Sequence, residues 1–412
     1  MESRTFEVEF RSRYAAKREH IVIGLMSGTS LDGVDAAMVR ILTRDNGTID
    51  SVELLRHSYL PYSEALRNLV AKLCVKEDCR VDDLVYAHYG LSEWYAEAVL
   101  LVLRESGVPA ARIDAVSMHG QTVWHAPETR AFPGPRGDVP VKGTLQLGQA
   151  AVVRERTGLP VVADLRARDM AAGGEGAPLA PYIDAVLFGS AEEGRIVQNI
   201  GGIGNATVLP AAAAADAAGI FAFDTGPGNM VIDGVVGEGT GGAKRYDPEG
   251  SIAATGRACL EIVEALMRDP YFSRRPPKST GREVYGAAFS RALMADAAKR
   301  GLSFEDTVAT ATAFTAESIA RAYRDFIFPR TPVAAAVVAG GGALNATLLG
   351  MLRERLGPAV RVTTAAALGV PDQAREAMAF AVLGHESLMG RPSNLPAVTG
   401  ARSPVVLGAI TL

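Results

Sequence analysis

Short apolar runs broken by glycine-rich turns open both halves of this chain. Residues 21–25 form a β-branched run and residues 35–42 a second, joined by Ser27-Gly-Thr-Ser-Leu-Asp-Gly33. Glycine and aspartate in that connection predict a hairpin whose tip can hold an anion. Residues 62–74 and 81–105 carry apolar positions at helical spacing, whereas 113–118 reads as a buried strand ending in His119-Gly-Gln-Thr122. Residues 126–143 are rich in proline and glycine and predict a long loop before a helix at 145–157. A strand at 161–163 then leads into Asp164-Leu-Arg166.

The second half repeats this logic. Strands are expected near 196–200, 206–209, 220–223 and 333–339, with helices at 251–267, 305–326 and 372–388. Each half therefore opens with strand, glycine turn and strand, and then adds helices. This is a weak repeat of architecture, without a repeat of sequence. Parallel strands with helical crossovers imply an α/β fold with covered sheet faces, and ligands in such folds sit at strand C-terminal ends. Residues 331–352 contain no charged side chain and have the length of a membrane span. Gly340-Gly-Gly342 lies at their centre, so the segment reads as strand, turn and helix, and no membrane segment is expected.

Composition narrows the class. With 412 residues, the chain is long enough for two domains, and 48% apolar with 21% charged residues is ordinary for a globular protein. A net charge of -4 argues against bulk phosphate neutralisation, so no nucleic-acid partner is expected. Cys74, Cys79 and Cys259 fit neither a disulfide framework nor a zinc site, and a reducing cytoplasm is the simplest setting. Residues 1–20 are charged, lack the apolar stretch of a signal peptide, and are expected to be a flexible extension.

The densest chemistry lies in two turns. Asn199–Asn205 reads N-I-G-G-I-G-N, and residues 223–229 read F-D-T-G-P-G-N with Asp224 at a strand end. Glycines at such density are costly unless backbone must approach something closely. A carboxylate beside phosphate-holding amides points to a phosphotransferase.

These segments carry a family resemblance. G-L-M-S-G-T-S-L-D-G-V-D at 24–35 is similar to the opening signature of the anhydro-N-acetylmuramic acid kinases. Further segments follow in that family's order: S-M-H-G-Q-T at 117–122, D-L-R-A-R-D at 164–169 with 171–178, and 199–205. After them come 224–229, K-S-T-G-R at 278–282, 340–345, E-A-M-A-F-A at 376–381 and N-L-P-A-V-T-G at 394–400.

The resemblance implies two ribonuclease-H-like, actin-like ATPase domains with a central nucleotide and sugar cleft. Their expected limits are 21–162 with 393–412, and 163–392. It also implies a coupled reaction: water opens the 1,6-anhydro ring while the freed O6 takes the γ-phosphoryl group of ATP. The family's product is N-acetylmuramate 6-phosphate, an intermediate of cell-wall recycling, and the family implies a homodimer.

By the same resemblance, ATP is expected on Ser27, Gly28, Thr29, Ser30, Leu31, Asp32, Gly33, Val34 and Asp35, on Gly201, Gly202 and Asn205, and on Gly340, Gly341, Gly342 and Asn345. Asp32 or Asp35 would hold Mg²⁺, which takes few carboxylates. Asp224 is expected to be the catalytic base that orients and deprotonates water, the bland alternative being an N-cap for a helix after Gly228. His119, Gln121, Thr122, Asp164, Arg166 and Glu376 are candidates for the sugar side. Arg166 suits a lactyl carboxylate, unless it is buried in an ion pair with Asp164 or Asp169. Lys278 and Arg282 lie in a loop that either serves the cleft or stabilises itself.

Departures bear on the substrate. Glu175 stands where the family pattern has glutamine, Gly204 where alanine is common, and Arg375 precedes Glu376. A levoglucosan-type anhydrosugar kinase is therefore the alternative of the same chemistry. An actin-like nucleotide switch without sugar chemistry is the alternative of another class.

Overall fold

The computed structural model describes residues 2–213 and 219–412. Its strands are, in chain order, β1 (Glu19–Ser27), β2 (Gly33–Thr43), β3 (Ile49–Pro61), β4 (Ala115–Gly134), β5 (Gly137–Leu147) and β6 (Val161–Ala163). They continue as β7 (Arg195–Ile200), β8 (Ile203–Leu209), β9 (Phe221–Pro227), β10 (Ala335–Ala339), β11 (Arg361–Thr364) and β12 (Ala409–Thr411). The chain divides into two compact units, Met1–Ile183 with Gly369–Leu412, and Asp184–Leu368.

In the first unit β1, β2 and β3 form an antiparallel meander. β4 runs parallel to β1 on its other side and β6 parallel to β4, giving the order β12-β6-β4-β1-β2-β3. In the second unit β7, β8 and β9 form the meander, and β10 and β11 continue in parallel beyond β7, in the order β11-β10-β7-β8-β9. Both units thus share one plan, as expected for two ribonuclease-H-like domains. The parallel strands need crossovers, which helices Val81–Ser106 and Phe304–Ala322 help to supply. Ile23, Leu25, Met38, Leu91, Tyr95 and Val99 fill the first core. Ile196, Val208, Ile319, Tyr323, Val338 and Leu348 fill the sheet-backed core of the second.

Glycine decides where helix Asp372–Leu388 belongs. A Cβ on Gly24 of β1 would lie 1.9 Å from the Ala377 carbonyl oxygen, and one on Gly384 would meet Ser117 of β4 at 2.3 Å. Backbone therefore touches backbone there. This helix packs into the first unit, where the sequence placed it in the second, and the units part near 183 and 369 instead of 162 and 393.

Three other expectations change. Residues 2–15, expected to be a flexible extension, form helix Glu2–Ala15, anchored by the buried Tyr14 hydroxyl on His385 Nδ1 at 2.7 Å. The expected loop at 126–143 belongs to a β4–β5 ribbon, in which Phe132 pairs with Val139 and Ala131 with Pro140. Prolines are tolerated in such a ribbon because it is an edge. The ribbon also takes up Leu145–Leu147, so the helix begins only at Ala150. The helix expected at 251–267 is broken into a short turn and helix Leu260–Leu266. Gly256 between them is extended and packs so closely on the start of helix Phe304–Ala322 that its Cβ would fall 2.1 Å from Glu305 O.

Candidate active site

In the first unit, the β1–β2 connection is built from below. The Ser27 hydroxyl bonds Tyr95 Oη at 2.8 Å in the core, and the Gly28 carbonyl accepts from Gln121 Nε2 at 3.0 Å. Leu31 takes φ +56° and closes the turn by donating to Gly28 O at 3.3 Å. Ser30 Oγ donates to Asp32 Oδ1 at 2.7 Å, and Asp32 O accepts from the Tyr62 amide at 2.8 Å. Thr29, Ser30 and Asp32 are left exposed at the tip. Gly33 and Val34 are buried, Gly33 because a Cβ would meet Leu60 O at 2.5 Å. Of the two magnesium candidates, Asp35 already has Oδ1 on His57 Nε2 at 2.8 Å.

Gln121 therefore differs from its expected role. Its side chain is fully buried and its amide nitrogen is spent on Gly28, so it props the phosphate-loop candidate and does not project as a sugar ligand. The β1–β4 register makes this unavoidable, since Ser27 stands opposite Gln121. Thr122 Oγ1 accepts from Gln146 Nε2 at 3.2 Å.

His119 and Arg166 are brought together. Arg166 Nε donates to His119 Nε2 at 2.9 Å, and its Nη1 donates to Gly176 O at 2.8 Å. Burial, and secondarily the adjacent guanidinium, pushes His119 down to about 3. The ring is thus neutral, and because Nε2 accepts, its proton is on Nδ1. Arg166 pairs with neither acidic residue weighed as its partner. Asp169 is wholly buried and spent on Asn394 Nδ2 (2.6 Å), Thr399 Oγ1 (2.7 Å) and the Gly176 amide (2.8 Å). Asp164, at φ +56°, is exposed. Glu376 keeps surface open to solvent, but the atoms packed around its carboxyl raise it by desolvation, with the Asp35 charge adding and Arg375 and Arg166 opposing.

In the second unit, Gly201 and Gly202 make the β7–β8 turn, which packs back to back with residues 226–228. The Asn229 amide donates to Gly201 O at 2.7 Å and the Gly228 amide to Gly202 O at 3.0 Å. Asn205 pairs with Asn199 on one side and with Asp224 on the other, at a bulge after Gly204. Gly204 fits its place closely: a Cβ would lie 2.8 Å from Thr225 Oγ1.

Asp224 lies within β9 and caps nothing, because the N-cap of helix Asn229–Gly239 is Gly228. One segment, 271–280, holds it at every backbone polar atom and at one carboxylate oxygen. The Asp224 amide donates to Lys278 O (3.1 Å), Tyr271 Oη donates to Asp224 O (2.6 Å), and the Thr280 amide donates to Oδ2 (3.0 Å). Burial raises the Asp224 carboxyl above its ordinary value, with the Thr280 amide opposing. The K-S-T-G-R loop at 278–282, for which the sequence allows either a cleft-facing or a self-stabilising role, is part of the segment that grips Asp224.

The triple glycine is a packing device as well as a candidate nucleotide wall. Gly340 has φ +80°, and a Cβ on it would meet Ile200 O at 2.9 Å, while one on Gly342 would strike Ile200 Cγ2 at 2.4 Å. Gly341 is the more open. Asn345 is a helix cap, its Oδ1 accepting from the Leu348 amide at 2.9 Å. Beside Gly341 opens a cavity of about 600 Å³ whose lining includes Asn229, Asp233, Tyr246 and Leu344. Tyr246 and Leu344 expose 61% and 70% of their surface, enough to cover a flat ring. Asn229 and Leu344 lie within the 223–229 and 340–345 segments without being singled out as ligands, and no motif marks Asp233 or Tyr246.

Comparison with known proteins bears on the family. The family model for anhydro-N-acetylmuramic acid kinase matches residues 20–412. A relative from Caldanaerobacter subterraneus subsp. tengcongensis named anhydro-N-acetylmuramic acid kinase is 43% identical over 396 residues, 96% of this chain and 98% of its own. One of the same name from Salinibacter ruber is 43% identical over 391 residues, 95% and 96% of the two chains. Among solved structures, component A of the Acidaminococcus fermentans (R)-2-hydroxyglutaryl-CoA dehydratase aligns at 12% identity and TM-score 0.42, over 90% of this chain and 99% of its own. The chain belongs to the anhydro-N-acetylmuramic acid kinase family.

Proposed function

We propose that this chain uses ATP and water to convert 1,6-anhydro-N-acetylmuramic acid to N-acetylmuramate 6-phosphate, the step that returns this sugar to cell-wall recycling. The observation that carries the reading is Asp224: a half-buried carboxylate with Oδ2 fixed by the Thr280 amide and its backbone fixed on both sides. Oδ1 is left to take a proton from water. The water oxygen bonds C1, the C1–O6 bond breaks, and O6 bonds the γ-phosphorus as the bond to the β-phosphate oxygen breaks. The released O6 is stabilised by phosphoryl acceptance, so one base serves both bond changes.

The exposed tip at Thr29 and Ser30 and the Gly201–Gly202 turn supply amides and hydroxyls of the kind that hold phosphates. Magnesium, when bound, neutralises charge on the transferring phosphates. Each candidate carboxylate has one oxygen engaged, Asp32 by Ser30 and Asp35 by His57, and Asp32 is the better placed because it is exposed at the tip. Among the described residues no cluster of metal-ligating side chains exists, as suits an ion held chiefly by phosphates and water. The purine would lie in the cavity beside Gly341. Arg166 keeps N–H groups beyond those given to His119 and Gly176, and these would take the lactyl carboxylate.

We place the enzyme in the cytoplasm as a homodimer. Its three free cysteines fit a reducing compartment, and no helix among the described residues is long and apolar enough to cross a membrane. The dimer rests on the family resemblance. The test is ATP-dependent product formation from anhydro-N-acetylmuramic acid and levoglucosan at equal concentration, followed by mass spectrometry. Preference for the muramic sugar is expected; preference for levoglucosan keeps the mechanism and overturns the substrate.

A further inference from the structure

Lys278 is only 5% exposed, and among the described residues no carboxylate lies within ion-pair distance of it. Its Nζ donates to the Tyr271 carbonyl at 3.1 Å and sits 4.5 Å from the Tyr271 ring centre, 4.7 Å from that of Phe326 and 5.9 Å from that of Phe223. A buried, unpaired ammonium is costly, and a methionine would fill the same space without that cost. The charge therefore calls for a reason beyond packing.

The reason lies at both ends of the hydrogen bond it makes. Residues 271 and 278 are the two backbone anchors around Asp224: Tyr271 Oη donates to its carbonyl, and the Lys278 carbonyl accepts from its amide. Two residues on, the Thr280 amide fixes Oδ2. The ammonium ties residue 278 back to residue 271, closing the loop that grips the base. We propose that Lys278 is a positioning residue for Asp224, acting as a charged clasp that sets the aim of the free carboxylate oxygen. This rests on the reading of Asp224 as the general base.

The clasp also titrates. Burial pushes the Lys278 ammonium down to about 8; Asp325 opposes this, while Arg321 and Arg274 add to it. These three, with the Tyr271, Phe326 and Phe223 rings, are the groups that face it. The folded chain thus loses this proton near pH 8, whereas an unfolded lysine keeps it to about 10.4. Above pH 8 the clasp weakens and turnover falls. Stability moves the other way: the unfolded state binds the extra proton between those values, so this group makes stability rise with pH across that window.

The experiment compares the full chain with Lys278→Met, Lys278→Arg and Asp224→Asn, using ATP and anhydro-N-acetylmuramic acid between pH 6 and 10. Thermal melting is followed in parallel. Lys278→Met is expected to melt no lower than the parent at pH 7 and to lose about 10- to 100-fold in kcat, with KM for ATP unchanged. Lys278→Arg, which stays charged, is expected to recover part of that loss and to lack the decline above pH 8. Parent-like kcat and pH profile in Lys278→Met, with Asp224→Asn inactive, would overturn the clasp alone. Full turnover in Asp224→Asn would overturn the general-base reading beneath it. If Lys278→Met does not fold, the arginine variant decides, and a parent-like decline above pH 8 in it overturns the proposal.

Discussion

The Thr280 amide donates to Oδ2 of Asp224 at 3.0 Å, so one oxygen of the proposed base is committed and the other is not. Burial raises this carboxyl and the Thr280 amide restrains the rise. A base must be ionised to act, so activity disappears as pH falls through its raised value. The acid limb of kcat is expected above the ordinary aspartate range of about 3.9. A pH–rate profile checks this, and a limb at or below that range contradicts it.

Arg166 holds His119 and Gly176 with two of its donors, and its remaining N–H groups are those proposed for the lactyl carboxylate. Arg166→Ala is expected to raise KM for anhydro-N-acetylmuramic acid about 10-fold or more, in keeping with a lost charged hydrogen bond of roughly 1.5–3 kcal/mol. Levoglucosan, which has no carboxylate, should show a much smaller change. Equal effects on the two sugars would remove the carboxylate clamp. Since burial holds His119 down to about 3, no limb near pH 6–7 should arise from this ring.

Gly24 sets how closely helix Asp372–Leu388 approaches β1. Gly24→Ala places a Cβ 1.9 Å from the Ala377 carbonyl, and backbone cannot move aside as a side chain can. A loss of about 1–3 kcal/mol or more is expected, as for overpacked cores. Denaturant titration measures it, and an unchanged midpoint would show that the helix can shift.

Helix Glu2–Ala15 is fastened by Tyr14. Its hydroxyl bonds His385 Nδ1, and His385 Nε2 has no partner among the described residues. Tyr14→Phe leaves a buried ring nitrogen unsatisfied and is expected to cost about 1–3 kcal/mol. Equal stability of the two proteins would mean that the hydroxyl contributes nothing there.

Much of the candidate site is legible in the sequence because its parts are local. The Ser27–Asp35 turn, the Gly201–Gly202 turn and the strand bearing Asp224 each announce themselves by glycine and alternation within a few residues. What stayed hidden depends on distant pairing. Gln121 reads as a ligand until the parallel register of β1 and β4 places it under Gly28. Asp169 reads as an ion-pair partner for Arg166 until Asn394 and Thr399, more than two hundred residues on, are seen to take it. The β4–β5 ribbon failed for another reason. Its prolines and glycines carry the local signature of a loop, and only cross-strand pairing makes them a strand. Charge misled at the N-terminus, where one buried tyrosine outweighs a polar surface.

The most direct test of the account is Asp224→Asn, assayed for ATP-dependent phosphorylation of anhydro-N-acetylmuramic acid alongside nucleotide binding. Asparagine keeps the shape and can still accept from the Thr280 amide, but it cannot take a proton from water. Nucleotide binding should be unchanged and kcat should fall by about 10²–10⁴-fold, the range of a lost general base. Turnover equal to the parent would contradict the account and remove Asp224 from the chemistry.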